Sequence, residues 1–134
     1  MEDRWQVIFT KDTHSIDYLK TQEGKNLPIK HCLRGSDGWQ LHPELQDLSI
    51  GSSVFEKGSF GSLELAEYVS SLNPDAIEVI GLCTDICVVS SALILKARLP
   101  EVKISVDASC CAGVRPESHA AALQTMQMCQ IHVR

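Results

Sequence analysis

An apolar strand that runs through a tight turn into a buried helix leaves a chain few folds to choose from, and residues 76–99 carry that pattern. Residues 76–81 (Ala-Ile-Glu-Val-Ile-Gly) are short, rich in β-branched residues, and end in a glycine suited to a turn. Residues 85–99 follow with Ile86, Val88, Val89, Ala92, Leu93, Leu95 and Ala97, apolar nearly all round, as a buried helix is. The alternation recurs on both sides. Residues 5–10 and 53–56 read as short strands. Ser62 caps a helix with Leu65, Ala66, Val69 and Leu72 at helical spacing, and Asn73-Pro74 ends it. Residues 102–106 read as a strand, Pro116 and Glu117 open a helix to about residue 128, and residues 130–133 close as a strand. Strands alternating with helices require crossover connections. The expected fold is α/β and doubly wound, a mainly parallel sheet with helices on both faces.

A chain of 134 residues fits one domain spanning residues 1–134, with enough apolar residues for a core. The net charge of -5, with Lys and Arg scattered, argues against nucleic acid as a partner. No apolar run approaches the ~20 residues that span a bilayer, and Met1-Glu2-Asp3-Arg4 is polar rather than signal-like. The expectation is a cytoplasmic protein with no membrane partner. Cys32, Cys83, Cys87, Cys110, Cys111 and Cys129 lie mostly in apolar surroundings without zinc-site spacing, so reduced thiols are the default. Residues 11–47 form a long polar stretch, and loops of that length inside a domain are usually functional.

Cys87 is the exception among the thiols. It falls in the first turn of a helix that follows a strand, where sheets of this class bind ligands. The positive end of the helix dipole favours a thiolate there, and unpaired amides of the first turn can hold a developing oxyanion. Packing in a buried helix is the competing account. Lys57 taken alone is a solvated surface charge. Asp12 and His14, two residues apart beyond a strand end, and His31 further on offer two imidazoles and a carboxylate, the donor set of an open metal site. Such residues in polar loops are also often solvated or capping. His42 reads as a loop or cap residue, and His119 and His132 as structural.

The stretch Gly81-Leu82-Cys83-Thr84-Asp85-Ile86-Cys87 resembles the nucleophile motif of the isochorismatase-like cysteine hydrolases, which include nicotinamidases. The likeness continues through Val106-Asp107-Ala108 and Pro116-Glu117-Ser118-His119, and upstream over nearly the whole chain. It implies a Rossmann-like three-layer fold and a hydrolase of NAD salvage, an amidase that takes nicotinamide to nicotinate and ammonia. Cys87 would form a thioester, and the backbone N–H groups of Cys83 and Cys87 would make the oxyanion hole. A cis peptide would precede Cys83. Lys57, in Lys57-Gly58-Ser59-Phe60-Gly61-Ser62, matches the family lysine, whose ammonium supports a thiolate. Asp12, His14 and His31 match the family's metal ligands. The resemblance thus implies a divalent metal, zinc first, with iron or manganese as alternatives, and no organic cofactor. A small-molecule amide is the implied substrate.

One part of the family pattern has no match. The family's catalytic aspartate lies in a motif of the form Asp-x-Gln-x-Asp-Phe after the first strand, and the chain begins with what corresponds to the second strand. The expectation is an N-terminally truncated domain lacking its first, central strand. Its removal would leave two strand edges unpaired or force their neighbours together. Open edges also make self-association into a homo-oligomer an expectation. The alternatives are a truncated or non-catalytic family member, another small substrate such as isochorismate, and a thiol sensor built on Cys83, Cys87 and the Cys110-Cys111 pair.

Overall fold

A computed structural model describes residues 5–134, so the polar opening residues, Asp3 among them, lie outside the described residues. The chain divides into two compact units, Met1–Ser59 and Phe60–Arg134. No helix among the described residues is long and apolar enough to cross a membrane.

In the first unit, strand β1 (Ile8–Asp12) pairs in parallel with β2 (Ser53–Lys57), in register from Ile8 opposite Ser53 to Asp12 opposite Lys57. The sequence places the first strand at residues 5–10. It starts later and carries on through Lys11 and Asp12, because pairing with β2 rather than local apolarity sets its end. Between the strands the long polar stretch folds into short helices, α1 (Gln22–Asn26) and α2 (Pro43–Gln46), with single 3₁₀ turns at Tyr18–Lys20, Asp37–Trp39 and Asp47–Ser49. His42 caps α2, accepting the Glu44 N–H, which agrees with its expected capping role.

Helix α1 is held by a compact local device. The Thr21 hydroxyl accepts the Gly24 N–H at 3.0 Å and donates to the Tyr18 carbonyl at 2.6 Å. Gly24 sits so close to that turn that a Cβ there would lie 2.0 Å from the Tyr18 carbonyl oxygen. The obstacle is backbone and cannot swing aside. Gly24→Ala is therefore expected to destabilise the protein by about 2–3 kcal/mol, measured by denaturant unfolding.

In the second unit, β3 (Ala76–Leu82), β4 (Lys103–Ala112) and β5 (His132–Val133) form a parallel sheet in the order β3-β4-β5. Helices α3 (Leu63–Ser71), α4 (Val89–Arg98) and α5 (Pro116–Met128) accompany it. The core is built from Leu65, Ala66 and Val69 of α3, Ala92 and Leu95 of α4, Ile104 and Val106 of β4, and Met126 of α5. The Ser62 hydroxyl accepts the Leu65 N–H and starts α3 where the sequence puts it. Helix α4 buries one stripe, including Ser91, Ala92 and Leu95, while Ala97 is exposed, so it is less enclosed than its composition suggests. Strand β4 runs well beyond the expected residue 106. A register shift between Val79 and Gly81 lets its far end pair again, with Cys111 opposite Gly81 and Ala112 opposite Leu82.

The strands thus form two parallel sheets with helices around them, and among the described residues β1 pairs only with β2 and β3 only with β4. Ile80 and Leu82 on β3 are 58% and 71% exposed.

Candidate active site

The end of β3 is shaped by two backbone features. Gly81 has φ +124°, a conformation side-chain-bearing residues rarely adopt, and the peptide bond from Leu82 to Cys83 is cis. The expected helix start then proves to be a single π turn, Thr84–Val88, before regular α4. The Cys83 carbonyl accepts the Ile86 N–H at 3.1 Å and the Val88 N–H at 3.0 Å. A bond to the fifth residue on widens the turn by one residue, a feature frequent at functional sites. Cys87 is borne on this turn, and both Cys83 and Cys87 are half-buried. None of the six cysteines takes part in a disulfide.

The two residues after Cys83 anchor the turn to the start of α5. The buried Thr84 hydroxyl shares a 2.8 Å hydrogen bond with His119 Nδ1, so His119 has a structural partner, as expected. The Asp85 carboxylate accepts the Val114 N–H, at 3.2 and 3.1 Å to its two oxygens, and the Ser118 hydroxyl. The Ser118 hydrogen bond, with the Val114 N–H adding to it, holds the Asp85 carboxyl below the usual carboxylate range. A lowered native value means that the contribution to stability is present above the unfolded carboxyl's value and lost as pH falls through the native one. Ser118→Ala is expected to move the Asp85 titration up toward the ordinary range, read by carboxyl-carbon NMR.

In the first unit, Asp12 and Lys57 end their strands directly opposite each other. Lys57 is buried, and its ammonium donates to the Asp12 carboxylate and, at 3.5 Å, to the Ser59 carbonyl. The Trp39 indole donates to the Thr13 hydroxyl at 2.8 Å, tying the long loop to the segment between Asp12 and His14. His14 in turn forms a parallel bridge with Leu33, which brings the His31 segment alongside. Burial, and next the Asp12 carboxylate, pushes the neighbouring Cys32 thiol up.

His14 and His31 come together as expected, but their close carboxylate is Glu23. Ligating atoms of His14, Glu23 and His31 lie within 4.8 Å of one another. The Glu23 carboxylate is 3.5 Å from His14 Nε2 and 3.6 Å from His31 Nε2. Metal bonds of about 2.1 Å at tetrahedral angles set ligand atoms roughly 3.4 Å apart, so both spacings suit an ion. His14 Nε2 is buried with no hydrogen-bond partner among the described residues. His31 Nδ1 donates to the Ile29 carbonyl at 2.7 Å, which leaves the Nε2 lone pair available. The donor set fits a divalent ion of the zinc type. Asp12, expected as the carboxylate of this group, faces Lys57 instead.

Two participants escape a reading of the sequence. Glu23 looks like an ordinary first-turn acid behind its Thr21 cap. Tyr18, fully buried, packs its ring 4.6 Å from that of His14 and 5.0 Å from that of His31, and its hydroxyl donates to the Leu27 carbonyl. Burial, with the Glu23 carboxylate adding to it, pushes its phenol up.

A model of the isochorismatase domain matches residues 1–134. The chain belongs to the isochorismatase-domain family. Among relatives of this isochorismatase-domain protein, the nicotinamidase/pyrazinamidase of Mycobacterium tuberculosis is 27% identical over 98% of this chain and 77% of its own length. The nicotinamidase of Escherichia coli is 29% identical over 73% of this chain and 52% of its own. Nicotinamidase/pyrazinamidase of Bacillus subtilis shares the fold, with a TM-score of 0.81 and 24% identity over 96% of this chain and 74% of that one. Pyrazinamidase of Pyrococcus horikoshii, solved in complex with zinc, also reaches a TM-score of 0.81, at 18% identity over the same shares of the two chains. Family and relatives together support a hydrolase, of the cysteine amidohydrolase kind.

Proposed function

We propose that this chain is a nicotinamidase-type amidase of NAD salvage that works in the cytoplasm and takes nicotinamide to nicotinate and ammonia. The Cys87 thiolate attacks the carboxamide carbon, and the carbonyl electron pair moves to oxygen, facing the N–H groups of Cys83 and Cys87. The proton released by the Cys87 thiol passes to the amide nitrogen, collapse breaks the C–N bond so that ammonia leaves, and water hydrolyses the thioester to the acid and the thiol. Lys57 supports the anionic states. His14 and His31 would hold the metal together with Glu23, and Asp12, which the family resemblance assigns to the same set, would join them by exchanging Lys57 for the ion. Zinc is taken first because the pyrazinamidase of Pyrococcus horikoshii was solved with it, and iron or manganese suits the same imidazole-carboxylate donors. When bound, the ion supplies a Lewis-acid site for the ring nitrogen of the substrate.

The observation that carries the choice of substrate is the buried, unpartnered His14 Nε2 facing Glu23 and His31. An isochorismate-type substrate has no ring nitrogen to use an ion placed there. Ammonia release from nicotinamide is expected to exceed that from benzamide, which lacks only the ring nitrogen, by about tenfold or more. Equal rates on both would remove the substrate assignment.

A second reading is that residues 1–134, which hold no match to Asp-x-Gln-x-Asp-Phe, do not turn over by themselves. Measuring ammonia release from the chain alone, and from the chain preceded by a strand–helix unit carrying that motif, separates the two. Release restored only by the added unit supports an amidase that needs the aspartate as general base. No release from either supports the non-catalytic member.

A further inference from the structure

Two of the residues between Cys83 and Cys87 are fastened by hydrogen bonds from outside their own helix. Thr84 is fully buried and bonded to His119, and the next residue, Asp85, gathers the Val114 N–H and the Ser118 hydroxyl on one carboxylate. Gly113 lets the loop before α5 fold tightly onto the first turn of that helix, since a Cβ there would lie 2.7 Å from His119 Cβ and 3.0 Å from its Cα. These contacts join the π turn that bears Cys87 to the loop before α5 and to the first turn of that helix. None of the groups takes a part in the amidase chemistry set out above.

We propose that Asp85 is a positioning residue for Cys87, whose carboxylate sets the orientation of the π turn by gripping the Val114 N–H and the Ser118 hydroxyl. A thiol and its neighbouring amides must share one orientation to hold an attacking thiolate and an oxyanion together, and a misplacement of about 1 Å can cost ~10²-fold in rate. A single carboxylate with two donors from another segment restricts that orientation more than one hydrogen bond does. The inference rests on Cys87 being the nucleophile, while its test reads thiol chemistry and needs no substrate.

The test is the rate at which iodoacetamide alkylates Cys87 in the full chain at neutral pH, followed by peptide mass spectrometry. The exposed Cys110 and Cys129 serve as internal references. Asp85→Ala is expected to slow alkylation of Cys87 about tenfold and leave the two reference thiols unchanged. Asp85→Asn is expected to stay within about 1.5-fold of the parent. Its amide oxygen can accept the Val114 N–H and its amide nitrogen can donate to the Ser118 oxygen, whose hydrogen can then turn to the Arg115 carbonyl 3.1 Å away. An equal or faster Cys87 rate in Asp85→Ala, an Asn variant as slow as Ala, or a parallel change at all three thiols would each overturn the proposal. Should Asp85→Ala fail to fold, Ser118→Ala decides: slowing of about threefold supports the grip, and an unchanged rate defeats it. Ammonia release that survived Cys87→Ala would sink the amidase mechanism without touching the alkylation result.

Discussion

Cys87→Ala is expected to reduce ammonia release from nicotinamide by about 10⁴-fold or more, in whichever form of the chain releases it. Removing a nucleophile removes the covalent route altogether, and what survives is the contribution of binding and oxyanion stabilisation. The substitution keeps a side chain of similar bulk on a half-buried turn, so the fold should persist with a stability change of about 1 kcal/mol. Two measurements belong together. Ammonia release reports turnover, and mass spectrometry after rapid acid quench reports a nicotinoyl thioester on Cys87 that is absent from the alanine variant. Release at the parent rate in Cys87→Ala would end the nucleophile assignment.

His14→Ala and His31→Ala are each expected to weaken zinc binding by about 10²-fold or more, followed by competition with a chromophoric chelator. Each removes an imidazole whose Nε2 faces the Glu23 carboxylate at 3.5 or 3.6 Å. Glu23→Gln, which keeps the shape and discards the charge, is expected to cost about tenfold or more. The comparison with Asp12→Asn carries the most information. Zinc affinity unchanged in Glu23→Gln but lost in Asp12→Asn would return the site to the trio suggested by the sequence. Loss in both would make Asp12 a ligand that exchanges Lys57 for the ion.

Much of this architecture can be seen in single segments. Helix α5 begins at Pro116, as its proline and the following glutamate indicate, because the N-terminal turn of a helix is set by residues within it. The Ser62 cap of α3 is local in the same way. The turn after β3 is legible because an apolar run, a glycine and an apolar helical pattern follow one another without interruption. Local sequence was a poorer guide where pairing decides. The end of β1, the far half of β4 and the π turn before α4 all depend on hydrogen bonds to partners distant in sequence or to a carbonyl one residue further back.

The site divides along the same line. By itself the sequence determined the strand–turn–helix that carries Cys87 and the chemical kinds the chain offers: thiols, a lysine, two imidazoles and carboxylates. Only the tertiary structure decided which carboxylate meets which base. The parallel register of β1 and β2 sets Asp12 opposite the buried Lys57, and the small helix α1, seated on the Tyr18 turn through Gly24, carries Glu23 to His14 and His31. The physical reason is that a residue's type and local period are written in its neighbours. The partner of a charge is chosen by strand register and backbone packing, which no short stretch of chain contains.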